Sequence, residues 1–360
     1  MWIVIPIAGV GKRLQPFTYT KPKAFLKIAG NKLIDHLLIK LKNNFPRGTN
    51  LLFIIGYKGR QISDYLKENY SDYYKLFFVE QKPLGFEDDA PYFSGLADAI
   101  LLAKDYVRNK DFFIILGDRL PTRDYSSMLI SFHQDQFDIL INVQEVKQPE
   151  YYGVVQCDEG GNIKKIIEKP EQFISNLAVS GAYLINNSVS SIFFELIQKQ
   201  YEIPLDNGRE HQLTSIIQKL IEMGKKVKIN KMHDIILDFG RPESLIEGNR
   251  YLLSEIKQID PLYESLRIKG NSISSKIIPP VIIGENAKIT NSIIGPYVSL
   301  GDNVVLNKCI CSDTIIGDNT SLNQIITSSS LIGDFSTLED LIKENIIIGD
   351  SSCISTSERQ

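Results

Sequence analysis

The sequence predicts an α/β protein: a doubly wound, mostly parallel sheet, followed by a second domain built as a parallel β-helix. Three observations carry this. Apolar strands alternate with amphipathic helices through the first two thirds of the chain, the first strand breaks into a cation-rich glycine turn, and glycines recur at a fixed step near the end. The expected organisation is a first domain over 1–257, a linker over 258–270 and the β-helix over 271–360.

A chain of 360 residues is long enough for two cores. Its hydrophobic fraction of 43% and charged fraction of 23% are those of a globular protein. With 40 basic and 43 acidic residues the net charge is -3, so bulk electrostatics argue for neither a nucleic-acid nor a membrane partner. Any anion binding has to be local. Met1 to Ile7 lacks a basic flank and reads as a buried strand rather than a signal peptide, and no run of 18 apolar residues predicts a spanning helix. Cys157, Cys309, Cys311 and Cys353 form no CxxC pair, as expected of a reduced, cytoplasmic chain.

The first strand feeds the stretch on which the functional reading rests, IVIPIAGVGKRLQPFTYTKPKAFLK from Ile3 to Lys27. Gly9 and Gly11 let the backbone turn tightly, so that amide N–H groups can face an anion. Arg13 offers a rigid charged fork and Lys23 a mobile point charge, while Pro16 and Pro22 keep the segment from becoming a helix. Two glycines alone fit an ordinary turn equally well. The full pattern, Gly-x-Gly-x-Arg-Leu-x-Pro-x-Thr-x-x-x-Pro-Lys through Lys23, resembles the signature loop of the sugar-phosphate nucleotidylyltransferases, the NDP-sugar pyrophosphorylases. It is most similar to their glucose-1-phosphate thymidylyltransferase branch. It is neither a Walker loop nor the dinucleotide fingerprint, because the Gly-Lys-Ser/Thr and the third glycine are both missing.

The rest of the chain follows in order. A helix is expected over Asn31–Asn43, a strand from Leu51, a helix around Arg60–Asn69 and a strand KLFFVE ending at Glu80. Ligands of such sheets sit beyond the carboxyl ends of the strands. Gln81 stands there with an amide able to pair with a base edge; in isolation it would be a surface glutamine, and the resemblance implies the base contact. The Leu-Gly or Gly-Leu-Ala element that follows in the family occurs twice here, at Gly85 and at Gly95, around a segment from Phe86 to Ser94 that looks like an insertion. A helix over Ser94–Arg108 then leads to DFFIILGDRL, which puts Asp118 at the tip of a central strand. A carboxylate there suits Mg²⁺, and the resemblance implies that it binds the metal. Arg119 departs from the family's pattern; a cation at that point could bind triphosphate or oppose the ion.

Asp138–Val146 is the next strand, and Tyr151–Pro170 a hairpin turning at Gly160-Gly161. The resemblance implies that Tyr152, Gly153 and Glu168 surround the sugar, that Lys169 meets its 1-phosphate, and that Gly181, in the strand NLAVSGAY, permits close approach of the ring. A helix over Gly208–Met223 carries Glu210 and Thr214 near its start, and DIILDFG delivers Asp238, matching the family's second metal aspartate. Pro242–Lys257 is the last expected helix. Beyond it, glycines at 284, 295, 301, 317, 333 and 349 settle into a step of about sixteen, similar to the left-handed hexapeptide solenoids attached to many members of this family. His36, His133, His211 and His233 all precede the solenoid, which favours an assembly role over acyl transfer with a histidine base.

These implications amount to one expected activity: transfer of a nucleotidyl group from a nucleoside triphosphate, dTTP first, to a sugar 1-phosphate, glucose 1-phosphate first, with Mg²⁺ and release of pyrophosphate. Arg13, Lys23 and Lys169 would be its catalytic cations, and the chain would be a homo-oligomer, joined through the β-helix. The same chemistry with GTP and mannose 1-phosphate or UTP and glucose 1-phosphate, and a non-catalytic nucleotide-sugar-binding subunit, are the rivals.

Overall fold

A computed structural model of the chain describes residues 1–87, 90–134, 136–205, 210–231, 235–259 and 270–356. Ahead of the β-helix the strands are β1 (Trp2–Pro6), β2 (Lys27–Ile28), β3 (Asn31–Lys32), β4 (Asn50–Ile55), β5 (Lys75–Glu80), β6 (Gly85–Glu87), β7 (Ala90–Tyr92) and β8 (Phe112–Ile115). They continue as β9 (Arg119–Pro121), β10 (Ile139–Glu145), β11 (Gly153–Cys157), β12 (Ile163–Glu168), β13 (Leu177–Ile185), β14 (Val227–Lys231) and β15 (Ile236–Asp238). The helices are α1 (Leu33–Lys42), α2 (Gly59–Tyr70), α3 (Leu96–Leu101), α4 (Lys104–Val107), α5 (Ser126–Gln134), α6 (Asn187–Tyr201), α7 (Leu213–Glu222) and α8 (Pro242–Ile259). The chain divides into two compact units, Met1–Val10 with Leu37–Leu237, and Gly11–His36 with Asp238–Gln360.

The first unit is built on a sheet in the order β12-β11-β13-β8-β1-β4-β5, with β10 and β14 branching from β13. Strands β8, β1, β4 and β5 run parallel, and β13 runs against β8. Ile3, Val4 and Ile5, Leu51 to Ile54 and Phe112 to Ile114 are all fully buried, which is why these strands read as unbroken apolar runs rather than alternating ones. Helix α6 closes one face: Phe112 stacks on Phe194, and Asn186 caps the helix by accepting the Ser188 amide at 3.0 Å.

Three expectations change in detail. The single helix expected over Ser94–Arg108 is two, α3 and α4. Amides of Leu102 and Ala103 bond three residues back, to Ala99 and Ile100, a tighter turn that keeps Ile100, Ala103 and Val107 all in the core. The segment from Phe86 to Ser94 contains a hairpin strand, β7, paired with β6 so that Gly85 faces Tyr92; residues 88–89 lie outside the described residues. The helix expected from Gly208 starts at Leu213 as α7, with 206–209 outside the described residues, as are His233 and 260–269 of the expected linker.

In the second unit residues 271–355 wind as a left-handed β-helix. One face stacks Val281–Ile283, Val298–Leu300, Ile315–Ile316, Leu331–Ile332 and Ile347–Ile348. Successive coils are 17 residues apart at first, with Lys288 beside Asn271, and 16 later, with Ser321 beside Val305. The corners sit in the left-handed region, at Asn303, Asn319 and Phe335 in one row and Asp313, Ser329 and Asn345 in another; mostly these are Asn, Asp and Ser, whose short polar side chains tolerate it best. Val281, Ile294, Leu306, Cys311, Ile325 and Leu338 fill the interior. All four cysteines are free. Among the described residues no helix is long and apolar enough to cross a membrane.

Candidate active site

In the first unit the β11–β12 hairpin sets Gly153 directly opposite Glu168. Thr214, one residue into α7, donates its hydroxyl to Glu168 Oε2 at 3.3 Å. A Cβ on Gly153 would sit 3.0 Å from that same oxygen and 3.0 Å from the Thr214 methyl, so only glycine fits without displacing them. Burial raises the pKa of Glu168, against the opposing charges of Lys169 and Arg119 and the Thr214 bond. A carboxylate short of compensation is suited to accept hydrogen bonds from a polyol. Lys169 follows in an unusual conformation, φ 43°, with its amide tied to the Tyr152 carbonyl at 2.9 Å and its side chain exposed. Holding a lysine there costs about 1–2 kcal/mol and marks a built position.

Gly181 is also left-handed, φ 89°, but its free space is taken from within. A Cβ there would lie 2.8 Å from Arg119 Cγ, and the Arg119 guanidinium sits over the Tyr152 ring at 5.1 Å. Arg119, left ambiguous by the sequence, therefore points among Tyr152, Gly181 and Glu168. Asp118 is half-buried in the turn between β8 and β9.

Gln81 is buried just past β5, its amide nitrogen donating to the Gly95 carbonyl at 3.3 Å. Gly95 opens α3 at φ 117°, pressed against His211: a Cβ would meet the His211 carbonyl at 2.7 Å. His211 Nδ1 in turn bonds Asp98 Oδ2 at 2.8 Å, with Asp98 only 4% exposed. No sequence pattern signals this Asp98–His211 pair, because its members are 113 positions apart and belong to no shared motif. Gly85 lies in the hairpin against Tyr92, and Gly9 is open, with nothing within 4 Å of a Cβ placed on it.

The second unit holds the remaining residues. Gly11 takes φ 72° at the head of a short 3₁₀ turn, Lys12–Leu14, and accepts the Thr18 hydroxyl at 3.1 Å. A Cβ on Gly11 would lie 3.1 Å from the Thr18 methyl and 3.4 Å from Lys23 Cβ, so the loop folds back onto its own start. Arg13 and Asp238 flank Gly240, whose Cβ would lie 3.2 Å from Arg13 Nη2 and 3.0 Å from Asp238 Oδ1. Arg13, Gly11, Lys23 and Asp238 thus belong to one unit, and Asp118 to the other. Among the described residues no three His, Cys, Asp or Glu side chains gather into a ready-made metal cage. Mg²⁺ commonly takes one or two carboxylates and completes its shell with phosphate oxygens and water, so single aspartates at strand ends fit an ion that arrives with a triphosphate.

A parallel-centred α/β sheet with a cationic glycine loop after its first strand and a carboxylate after a central strand defines a nucleotide-handling protein. The chain belongs to the Nucleotidyl transferase family, which it matches over residues 3–255. It is 34% identical over 272 residues to Bifunctional protein GlmU of Methanocaldococcus jannaschii, covering 75% of this chain and 59% of that protein, so it spans about three fifths of that relative's length. It is 28% identical over 263 residues to the UTP--glucose-1-phosphate uridylyltransferase AglF of Haloferax volcanii, covering 72% of this chain and 99% of that one. The crystal structure of a UDP-glucose pyrophosphorylase complexed with UDP-glucose is similar with a TM-score of 0.59 and 25% identity, covering 71% of this chain and 98% of that chain.

Proposed function

We propose that the protein is a sugar-1-phosphate nucleotidylyltransferase. An oxygen of the sugar 1-phosphate attacks the α-phosphorus of a nucleoside triphosphate, the bond from that phosphorus to the β-phosphate oxygen breaks, and pyrophosphate leaves. The attacking phosphate is already ionised near neutral pH, so alignment and charge neutralisation suffice, with no covalent residue or strong base. The observation that carries the reading is the loop: Gly11 held left-handed against Thr18 and Lys23, with Arg13 and Asp238 both against Gly240.

In this reading Arg13 neutralises charge on the departing pyrophosphate, and Lys23 and Lys169 position phosphates. Gly9, Gly11, Gln81, Gly85 and Gly95 seat the nucleotide. Tyr152, Gly153 and Glu168 receive the sugar, whereas the space over Gly181, expected to admit the ring, is filled by the stem of Arg119. Asp118 and Asp238 would hold Mg²⁺, which supplies charge neutralisation on the triphosphate oxygens. The base is a pyrimidine: the loop pattern is most similar to thymidylyltransferases, and AglF is named for UTP. Glucose 1-phosphate is the first sugar to test. The partner of the β-helix is a second copy of the chain, because Ile293, Ile310, Ile326 and Ile342 form an exposed isoleucine row on one face.

The test is pyrophosphate release with Mg²⁺ over dTTP, UTP and GTP, each paired with glucose, mannose and N-acetylglucosamine 1-phosphates. Turnover with a pyrimidine triphosphate and glucose 1-phosphate is the expected result. Turnover with GTP and mannose 1-phosphate alone would replace the substrates, and silence from folded protein would favour a binding subunit.

A further inference from the structure

The aspartates that follow the coil glycines, Asp302, Asp318, Asp334 and Asp350, form a ladder in which each carboxylate has two tasks. One oxygen serves the β-helix itself. Asp302 N donates to Asp318 Oδ1 at 2.9 Å, Asp318 N to Asp334 Oδ1 at 2.9 Å and Asp334 N to Asp350 Oδ1 at 2.8 Å. The other oxygen faces the segment Gly11–His36 of the same unit. Lys27 Nζ lies 2.7 Å from Asp318 Oδ2 and 3.4 Å from Asp302 Oδ2. Lys21 pairs with Asp334 and, at 3.0 Å, with Asp350, whose same oxygen accepts the Thr20 hydroxyl.

Four carboxylates stacked one per coil, about 4.8 Å apart, repel one another, and two ammonium groups from the loop offset that repulsion. The loop is held at points rather than packed flat: a cavity of about 480 Å³ lined by Phe25, Leu26, Leu300 and Ile316 lies beneath it. Two further points fix its ends. A Cβ on Gly349 would lie 2.8 Å from Pro16 Cγ, and fully buried Asn249 of α8 accepts both the Ala29 amide at 2.8 Å and the Ser299 hydroxyl at 2.6 Å. Between Lys21 and Lys27 stands Lys23, whose stem rests near Gly11.

We propose that the aspartate ladder positions the phosphate-binding loop, with Lys21 and Lys27 as positioning residues that clamp it and so fix where Arg13 and Lys23 meet the triphosphate. The inference rests on the proposed nucleotidyl transfer. Burial by itself would lower the Lys27 pKa, but the hydrogen bond and charge of Asp318, with Asp302 behind it, carry it above the ordinary lysine value. The ammonium therefore stays charged across the working pH range.

Asp318→Asn with Asp334→Asn separates the two tasks, since an amide oxygen can still accept the coil N–H while each lysine loses the charge of its nearer carboxylate and keeps only Asp302 or Asp350. In the full-length double variant, amide hydrogen exchange over residues 11–27 should rise about tenfold while exchange over 281–348 stays unchanged, and kcat/KM for the triphosphate should fall about tenfold. Lys27→Arg should stay within about twofold of wild type in both readouts, whereas Lys27→Met should follow the double variant. Unchanged exchange over 11–27 overturns the clamp, and faster exchange with unchanged kcat/KM overturns its role in positioning. If the wild-type chain releases no pyrophosphate from any substrate pair, the activity reading fails and the clamp is judged on exchange alone.

Discussion

Glu168 and Asp318 are both half-buried carboxylates, and the protein treats them in opposite ways. Glu168 gathers one modest hydrogen bond, from Thr214, and partial charge compensation, and burial keeps its pKa raised. Asp318 is saturated: a backbone amide holds one oxygen and the Lys27 ammonium the other. The first is an acceptor with capacity left for a ligand, whereas the second is fixed in place. The contrast separates a carboxylate that suits the proposed recognition of the sugar from one fixed in the construction of the β-helix.

The largest expected effect tests the recognition side. Asp118→Asn should lower kcat by at least about a hundredfold, several kcal/mol of lost charge stabilisation, while the melting temperature stays within a degree of wild type. A variant with full turnover removes Asp118 from the metal role. Next comes Glu168→Gln, expected to lower kcat/KM for the sugar 1-phosphate about tenfold.

The pH dependence sharpens the same point. Because the folded pKa of Glu168 is raised by burial, its acceptor form is lost as pH falls through a value above the ordinary glutamate pKa of about 4.3. The acid limb of kcat/KM should therefore lie above that value and vanish in Glu168→Gln. The stability sign is opposite: a raised acid contributes stability below its unfolded pKa that is lost as pH rises through the folded one, so the glutamine variant should melt no lower than wild type at pH 7. A clear fall in its melting temperature would mean that the carboxylate is structural after all.

On the construction side, Gly333→Ala puts a Cβ 2.4 Å from the Gly349 carbonyl carbon and 2.5 Å from the Asp350 amide nitrogen, and neither backbone can yield cheaply. About 1–3 kcal/mol of destabilisation is expected, read as a lower unfolding midpoint in guanidinium. Gly153→Ala, whose Cβ would meet side-chain atoms at 3.0 Å, should instead act mainly on KM for the sugar phosphate. The smallest effect on chemistry is expected from Ile310→Asp with Ile326→Asp, which should lower the mass in sedimentation to that of a single chain of 40.7 kDa while changing kcat less than twofold.

Much of this is legible in the sequence alone. Strand β1, the glycine turn, the β11–β12 hairpin and the coil step are local patterns whose period follows from backbone geometry. The metal and sugar roles proposed above rest on resemblance, because the neighbours of those residues are set by sheet topology: Gly153, Glu168 and Thr214 share no spacing rule. Arg119 illustrates the limit, since only the fold of β13 brings Gly181 under its stem. The aspartate ladder was half visible, as Gly-Asp at 301–302, 317–318, 333–334 and 349–350. Its partners Lys21 and Lys27 lie roughly three hundred positions away, where no periodicity reaches.

The ladder also acts as a ruler. Lys27 grips the rungs of Asp302 and Asp318, and Lys21 those of Asp334 and Asp350, so six loop residues are matched to a two-coil offset along the β-helix. Lengths in two remote parts of the gene are thereby tied together. Removing one sixteen-residue coil, harmless in a solenoid that only links subunits, would here leave one lysine a rung short, so insertions and deletions in the coil region should be tolerated only beyond Asp350 or before Asp302.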